Sequence, residues 1–455
     1  MKPPAGKDKS RITAARILDR LESGDQVLDV VLDRALDEEP GLTRKDRALV
    51  MALVYGVLRN RGRIDWVISS FSKTKLKKIQ PEILNILRMG VFQLLFLDRV
   101  PPALAVDSSV EMAKKAAPVF VSKFVNGVLR NVERKGRGLQ LPDFAKDPLK
   151  AICVAESYPE WMVKRWIKRF GAEETLELCK AGNKIAPITI RVNSLAASRD
   201  EVADQIRDQV KNLELHDWPP MAMSFSAPLV PVFELPGFTE GKFSVQDAAS
   251  QMTALCLDPQ PGEKVLDACA GLGSKTSHMA QLMDNKGEIL AADLEPGKLK
   301  KLEEEMARLK VSIVTTRAVD FTGERSLEPQ GFDKVLVDAP CTGLGVIRRN
   351  PDSKWSKTLN SIHKHAKLQG MILSRAAELV RPGGLILYSV CSMEPEETDG
   401  VIKAFLRNNE DFTLEPSPLP KDGDQTMLDE HGCMRTFPHR QGMDGFFAAR
   451  MRRRA

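Results

Sequence analysis

From Arg11 to about Arg137, apolar side chains recur every three or four residues through QVLDVVLDRAL, RALVMALVYGVLRNRGRIDWVISSF, PEILNILRMGVFQLLFL and SKFVNGVLRNVERK. That spacing lines them along one side of a helix, and little strand-like alternation interrupts it, so the pattern predicts an all-helical bundle. The stretch RKGRGLQLPDFAKDP concentrates glycine, proline and charge and predicts a boundary. From about Lys150 to Gly241 the texture is mixed. Helical PEWMVKRWIKRFG and AEETLELCKAG lead into ITIRVNSL and then into proline-punctuated WPPMAMSFSAPLVPVFELPG, which together predict a small α+β connecting domain.

After Ser244 short apolar runs alternate with helical patterns. The predicted strands are KVLDACA, GEILAAD, SIVTTRAVD, FDKVLVDA, GLILYSVCS and DGFFAARM. Between most of them lie helical stretches such as KTSHMAQLM, GKLKKLEEEMARLK and KHAKLQGMILSRAAELV. This alternation predicts an α/β domain with a doubly wound, mostly parallel sheet. A multidomain chain is expected at this length, divided into a helical domain at 1–145, a connector at 146–243 and an α/β domain at 244–455.

The net charge of +6 is modest, but its distribution changes the picture. Residues 1–150 hold 28 Lys and Arg against 18 Asp and Glu, whereas the remainder holds 39 against 43. A basic helical third is expected to meet a polyanion; a merely solvated basic face is the alternative. No apolar leader and no run of about 18 apolar residues occurs, so a soluble, cytoplasmic protein without a membrane partner is expected. The seven cysteines are odd in number, dispersed and free of any C-x-x-C pair, which argues against a disulfide framework or a zinc site. His363 and His365 are two apart on a predicted helix and face different sides, so no metal is expected.

In an open parallel sheet, ligands bind at the carboxyl ends of the strands. The first predicted strand runs into DACAGLGSKT, a glycine-rich turn before a helix N-terminus, where backbone amides can approach a ligand. It is not a phosphate-binding P-loop, because Ser274 and Cys269 stand where that motif needs glycine. The second strand ends at Asp293, where a carboxylate can accept hydrogen bonds from both hydroxyls of a ribose. The third ends at Asp320, an acceptor suited to an exocyclic adenine amine. Each acid taken singly is equally a helix cap. The fourth and fifth strands end in Asp338-Ala339-Pro340-Cys341 and Tyr388-Ser389-Val390-Cys391-Ser392. Cys153, Cys179, Cys256 and Cys269 read as small buried hydrophobes. Two thiols in one crevice are candidates for a nucleophile, with Lys275 supplying positive field.

With these residues in place the chain resembles the RNA cytosine-5 methyltransferases, and within them the bacterial small-subunit ribosomal RNA group called RsmB, Fmu or Sun. Arg11 to Arg137 resembles the RNA-binding NusB domain, Arg191-Val192-Asn193 and FSVQDAASQ the connecting region, and DACAGLGSKT the cofactor loop. DAPCTGLGVIRRNPDSKW and YSVCSMEPEE resemble the two cysteine motifs, and RTFPHRQGMDGFFAARM the terminal strand motif. The resemblance implies a Rossmann-like catalytic domain that binds S-adenosylmethionine through Cys269, Ala270, Gly271, Leu272, Gly273, Ser274 and Lys275, with Asp293, Asp320 and Asp338. It also implies that Cys391 is the nucleophile toward carbon 6 of cytosine and that Cys341 assists product release. Asp338 would face the base near ring nitrogen 3, and Lys275 would hold that geometry.

Two departures from the family stand out. Its loop more often reads Ala-Pro-Gly-Gly-Lys where Gly271-Leu272-Gly273-Ser274-Lys275 stands here, and Val390 replaces the usual threonine before the nucleophile. The implied substrate is 16S ribosomal RNA, bound by a monomer, with transfer RNA as the alternative substrate. Two rivals remain: a DNA cytosine-5 methyltransferase using the Pro340-Cys341 thiol, and a noncatalytic RNA-binding assembly factor. Arg348 and Arg349 are candidates for phosphate contact or a solvated face, and Arg452-Arg453-Arg454 reads as a mobile tail.

Overall fold

The computed structural model describes residues 9–22, 27–323, 327, 331–418 and 424–455; positions 1–8 and 23–26 of the expected helical domain therefore lie outside the described residues. The chain forms two compact units. One runs to Lys184 and includes Asn350–Ser356; the other comprises Ile185–Arg349 and Lys357–Ala455. The expected connector is thus divided, with its helices before Lys184 in the first unit and its strands, together with the helix Arg199–Ile206, in the second.

The first unit is helical throughout: Lys9–Glu22, Leu28–Asp37, Arg44–Phe71, Pro81–Phe96, Pro102–Ala116 and Val119–Lys135, followed by Pro148–Ala155, Glu160–Phe170 and Ala172–Asn183. The three- and four-residue spacing buries Ile17, Leu53, Ile64, Leu87 and Leu129 in one core. The 28-residue helix starts at a capping box in which the Thr43 hydroxyl accepts from the Asp46 amide and Asp46 accepts from the Thr43 amide. A buried charge must be paired, and Arg88 grips Asp65 through two bonds of 2.7 and 2.8 Å and Glu22 through a third. Asn350–Ser356 enters this unit with Trp355 donating to the Leu58 carbonyl. Buried Lys354 donates to the Arg59 carbonyl and the Asn183 side chain. The Lys354 ammonium also sits 4.4 Å from the centre of the Tyr158 ring, and burial pushes its pKa down to about 7.

The second unit opens with strands β1 (Ile188–Val192), β2 (Lys211–Leu215), β3 (Ala222–Ser226) and β4 (Phe243–Val245), antiparallel in the order β2-β3-β1-β4. A larger sheet follows, built from β5 (Lys264–Asp267), β6 (Glu288–Asp293), β7 (Val314–Ala318), β8 (Phe332–Asp338), β9 (Val380–Val390), β10 (Phe412–Glu415), β11 (Met434–Thr436) and β12 (Phe446–Arg453). Its order is β10-β12-β9-β8-β5-β6-β7, with β11 paired to β12. β5 to β9 are mutually parallel and β12 runs antiparallel to β9. Strand order reverses between β5 and β8, so the loops after these two strands diverge and open a crevice at their carboxyl ends.

Two sequence expectations are corrected here. Arg452 and Arg453 are not a tail: they lie in β12, paired with Glu415 and Asp411 beside β10. Arg348 is buried and Arg349 only partly exposed, because both bind Asp247 and Asp444 in a four-membered ion network.

Candidate active site

The site forms where β8 and β9 end side by side. Their register pairs Asp338 with Ser389. The two following loops therefore leave the sheet at the same level, Cys341 three residues beyond one partner and Cys391 two beyond the other. The sulfurs come to 3.2 Å, and both side chains are half-buried. Asp338 accepts from the Ser389 hydroxyl at 2.7 Å with one oxygen and from the Lys275 ammonium at 2.6 Å with the other. Lys275 belongs to the first turn of the helix Ser274–Leu282. Sequence reasoning named Asp338, Cys341, Cys391 and Lys275, and all four lie at this one place.

Burial alone would lower the Lys275 pKa, but the Asp338 carboxylate outweighs it and the net shift is upward, so the group stays cationic within electrostatic reach of Cys391. The Cys341 thiol is pushed well above its ordinary range, first by its hydrogen bond to Cys391, then by burial and by the charges of Cys391 and Glu397. The other cysteines are poor nucleophiles. Burial raises Cys153, Cys256 and Cys433 to about 12 and lifts Cys179 and Cys269 well above their ordinary range. Cys153 and Cys269 are half-buried rather than sealed, a correction to their expected full burial.

The glycine-rich loop joins β5 to the same helix. Gly271 and Gly273 adopt positive φ, 54° and 85°. A side chain at Gly273 would strike Leu302, whereas one at Gly271 would meet open space. The Gly271 amide donates to Asp293 at 2.9 Å, which ties the loop to the end of β6. Leu272 stands exposed where the family pattern has proline. Asp267 is buried at the start of the loop; Thr276 binds one of its oxygens, and the other meets no donor among the described residues. Burial pushes its pKa up to about 7. Asp320 lies two residues past the end of β7, exposed, with its carboxylate held by Thr322. These residues suit an adenosine-containing cofactor: open backbone at Gly271, a carboxylate at each of two strand ends, and an orphaned buried oxygen at Asp267.

Sequence reasoning missed the groups that hold the thiol loops. Buried Glu397 accepts from the Thr342 amide and hydroxyl, the Ser392 hydroxyl and the Gln369 amide. Thr342 and Ser392 each directly follow one of the two cysteines. Gly345 donates its amide to the Cys391 carbonyl, and its own carbonyl accepts from Gly445. Arg191, part of the Arg191-Val192-Asn193 motif, is fully buried and binds Gln281, Gln246, Ser277 and the Ser274 carbonyl, bracing the first turn of the Lys275 helix. Val390, which replaces the family threonine, packs in the core and pairs with Phe447 of β12.

Comparison with known proteins agrees with this architecture. Residues 254–452 match the family described as 16S rRNA methyltransferase RsmB/F, residues 8–134 the NusB family and residues 158–232 the RsmF/B-like ferredoxin-like domain. The probable ribosomal RNA small subunit methyltransferase B of Bacillus subtilis (strain 168) is 34% identical over 98% of this chain and 99% of its own. Among solved structures, PH0851 superposes with a TM-score of 0.80 at 28% identity over 99% of each chain. NSun6 from Pyrococcus horikoshii with SFG superposes with a TM-score of 0.58 at 25% identity, over 66% of this chain and 99% of that one.

Proposed function

The chain belongs to the RsmB/F family of 16S ribosomal RNA methyltransferases, which use S-adenosylmethionine, and we propose that it methylates carbon 5 of a cytosine through a covalent bond between Cys391 and carbon 6. The supporting observation is the pair of thiols 3.2 Å apart beside the Asp338–Lys275 ion pair. Both thiols stand just past the carboxyl ends of adjacent parallel strands, where Asp338 and Lys275 also meet.

S-adenosylmethionine supplies an electrophilic methyl group on a sulfonium. The Gly271 backbone, Asp293, Asp320 and Asp338 are the groups that would hold it. Carbon 5 of cytosine is too weak a nucleophile unaided. When the Cys391 thiolate adds to carbon 6, a carbon–sulfur bond forms and the displaced π electrons make carbon 5 enamine-like. Asp338 binds the base edge beside ring nitrogen 3, and Lys275 fixes its carboxylate and stabilises developing negative charge. After methyl transfer, a base removes the carbon-5 proton, and the freed electron pair restores the ring double bond and expels Cys391. Cys341, in contact with Cys391, is placed to assist that elimination. The cytosine must leave its stack for carbon 6 to be reached.

The test separates the two thiols. Incubated with ribosomal RNA and cofactor, Cys341→Ala is expected to accumulate a protein–RNA adduct that survives denaturation, whereas Cys391→Ala forms none and transfers no methyl group. An adduct formed by Cys391→Ala would overturn the assignment.

A further inference from the structure

Glu397 is fully buried, with no Lys or Arg among its hydrogen-bond partners. Four donors converge on its two oxygens, which matches the acceptor-only inventory of a carboxylate. They come from distinct parts of the site. The Thr342 amide (2.8 Å) and hydroxyl belong to the loop after β8, immediately beyond Cys341. The Ser392 hydroxyl belongs to the loop after β9, immediately beyond Cys391. The Gln369 amide (3.0 Å) comes from the helix Leu359–Ala377 and also binds the Pro340 carbonyl, just before Cys341. The Glu397 carbonyl accepts from the Tyr388 hydroxyl of β9 at 2.7 Å. One side chain thus touches the neighbours of both thiols. A carboxylate left without cationic partners in a buried place is a costly way to hold two loops together, and apolar packing alone would not fix their mutual register.

We infer that Glu397 is a positioning residue that sets the Cys341–Cys391 contact, holding the nucleophile and its partner thiol in register for addition and elimination. The inference rests on the reading of these cysteines as the reacting groups. The charge of Glu397 acts on the chemistry as well as on the geometry, because it is one of the influences that keep the Cys341 thiol protonated.

The experiment uses the full-length protein with ribosomal RNA and S-adenosylmethionine. In a Cys341→Ala parent, which traps the adduct, adding Glu397→Gln is expected to slow adduct formation about 30-fold or more, while dissociation constants for RNA and cofactor change less than about threefold. With both cysteines present, the pH profile of adduct resolution after a single methyl transfer by Glu397→Gln is expected to move to lower pH, because removing the negative charge eases ionisation of Cys341. A purely structural lesion would lower the plateau through loss of folded protein and leave the profile in place. Ser392→Ala removes one donor and keeps the carboxylate; it should give a smaller loss in the same direction, which keeps the inference testable if Glu397→Gln folds poorly. Adduct formation as fast as in the parent, or an unmoved pH profile with full activity per folded molecule, overturns the positioning role alone. A Cys341→Ala parent that transfers methyl groups but traps no adduct overturns the thiol reading instead.

Discussion

At the scale of single residues, the position of Cys391 depends on an absence of side chains. A Cβ on Gly345 would lie 1.9 Å from the Gly445 carbonyl oxygen and 2.9 Å from the Cys391 carbonyl. Both obstacles are backbone, so neither can swing aside as a flexible side chain would. Gly345→Ala should therefore cost about 2 kcal/mol of stability and reduce methyl transfer beyond what the lost folded fraction explains, measured by urea unfolding alongside isotope incorporation. Stability changed with turnover per folded molecule intact would refute the link to Cys391. Asp338, Cys341 and Cys391 were legible in the sequence as strand-end residues and Lys275 as part of the glycine-rich turn, while their roles came from the resemblance to the family. Gly345 and Glu397 lie inside the two cysteine motifs but carried no role there, since Gly445 and Thr342, which they meet, lie 100 and 55 residues away.

At the scale of elements, the loop that follows Cys341 is anchored by charge. Asp247 caps the helix Ala248–Leu257 by accepting from the Ala249 amide. It also binds Arg349 at 2.7 Å, while Arg348 and Arg349 both reach Asp444, just before β12. The network therefore joins a helix start, the first cysteine loop and the terminal strand. Asp444 is only 2% exposed, so Asp444→Asn removes a buried partner of two cations. The expected cost is about 3 kcal/mol, read by chemical unfolding. A loss below about 0.5 kcal/mol, the usual range of an exposed pair, would refute the anchoring role.

The six predicted strands are all present, most of them apolar runs flanked by turn residues, with β7 the more polar exception. β10 and β11 escaped notice because they are four and three residues long, too short for a period to register, and exist by pairing with β12. The arginines read as a tail or a solvated face share one cause. Charge marks a residue as polar, but only distant acids such as Asp444 and Glu415 decide where it is held.

At the scale of the whole molecule, the helical and α/β regions were legible from the change of period alone, but their division along the chain was not. Seven residues after the Arg348-Arg349 pair, Asn350–Ser356, belong to the helical unit, and what assigns them there is the pairing of Lys354 and Trp355 with carbonyls near residue 58. Lys354 also gives that unit a pH dependence. Its pKa when folded, about 7, lies below the ordinary lysine value of 10.5. Between these values the unfolded chain holds a proton that the folded chain lacks, so stability rises with pH through the window and falls as pH drops toward 7. From pH 7 to 9 the contribution is about 2 kcal/mol at most. Lys354→Met should remove it, and a mutant whose unfolding free energy keeps the parental pH slope would show that this amine does not titrate.

The same seven-residue excursion bears on how such a protein can be taken apart or recombined. A gene fragment ending at Lys184 would encode every long helix of the first unit yet omit an indole and an ammonium that complete its interior, leaving the Leu58 and Arg59 carbonyls without those donors. Swapping this NusB-like module between relatives by a single crossover would break a piece that is continuous in space but not in sequence.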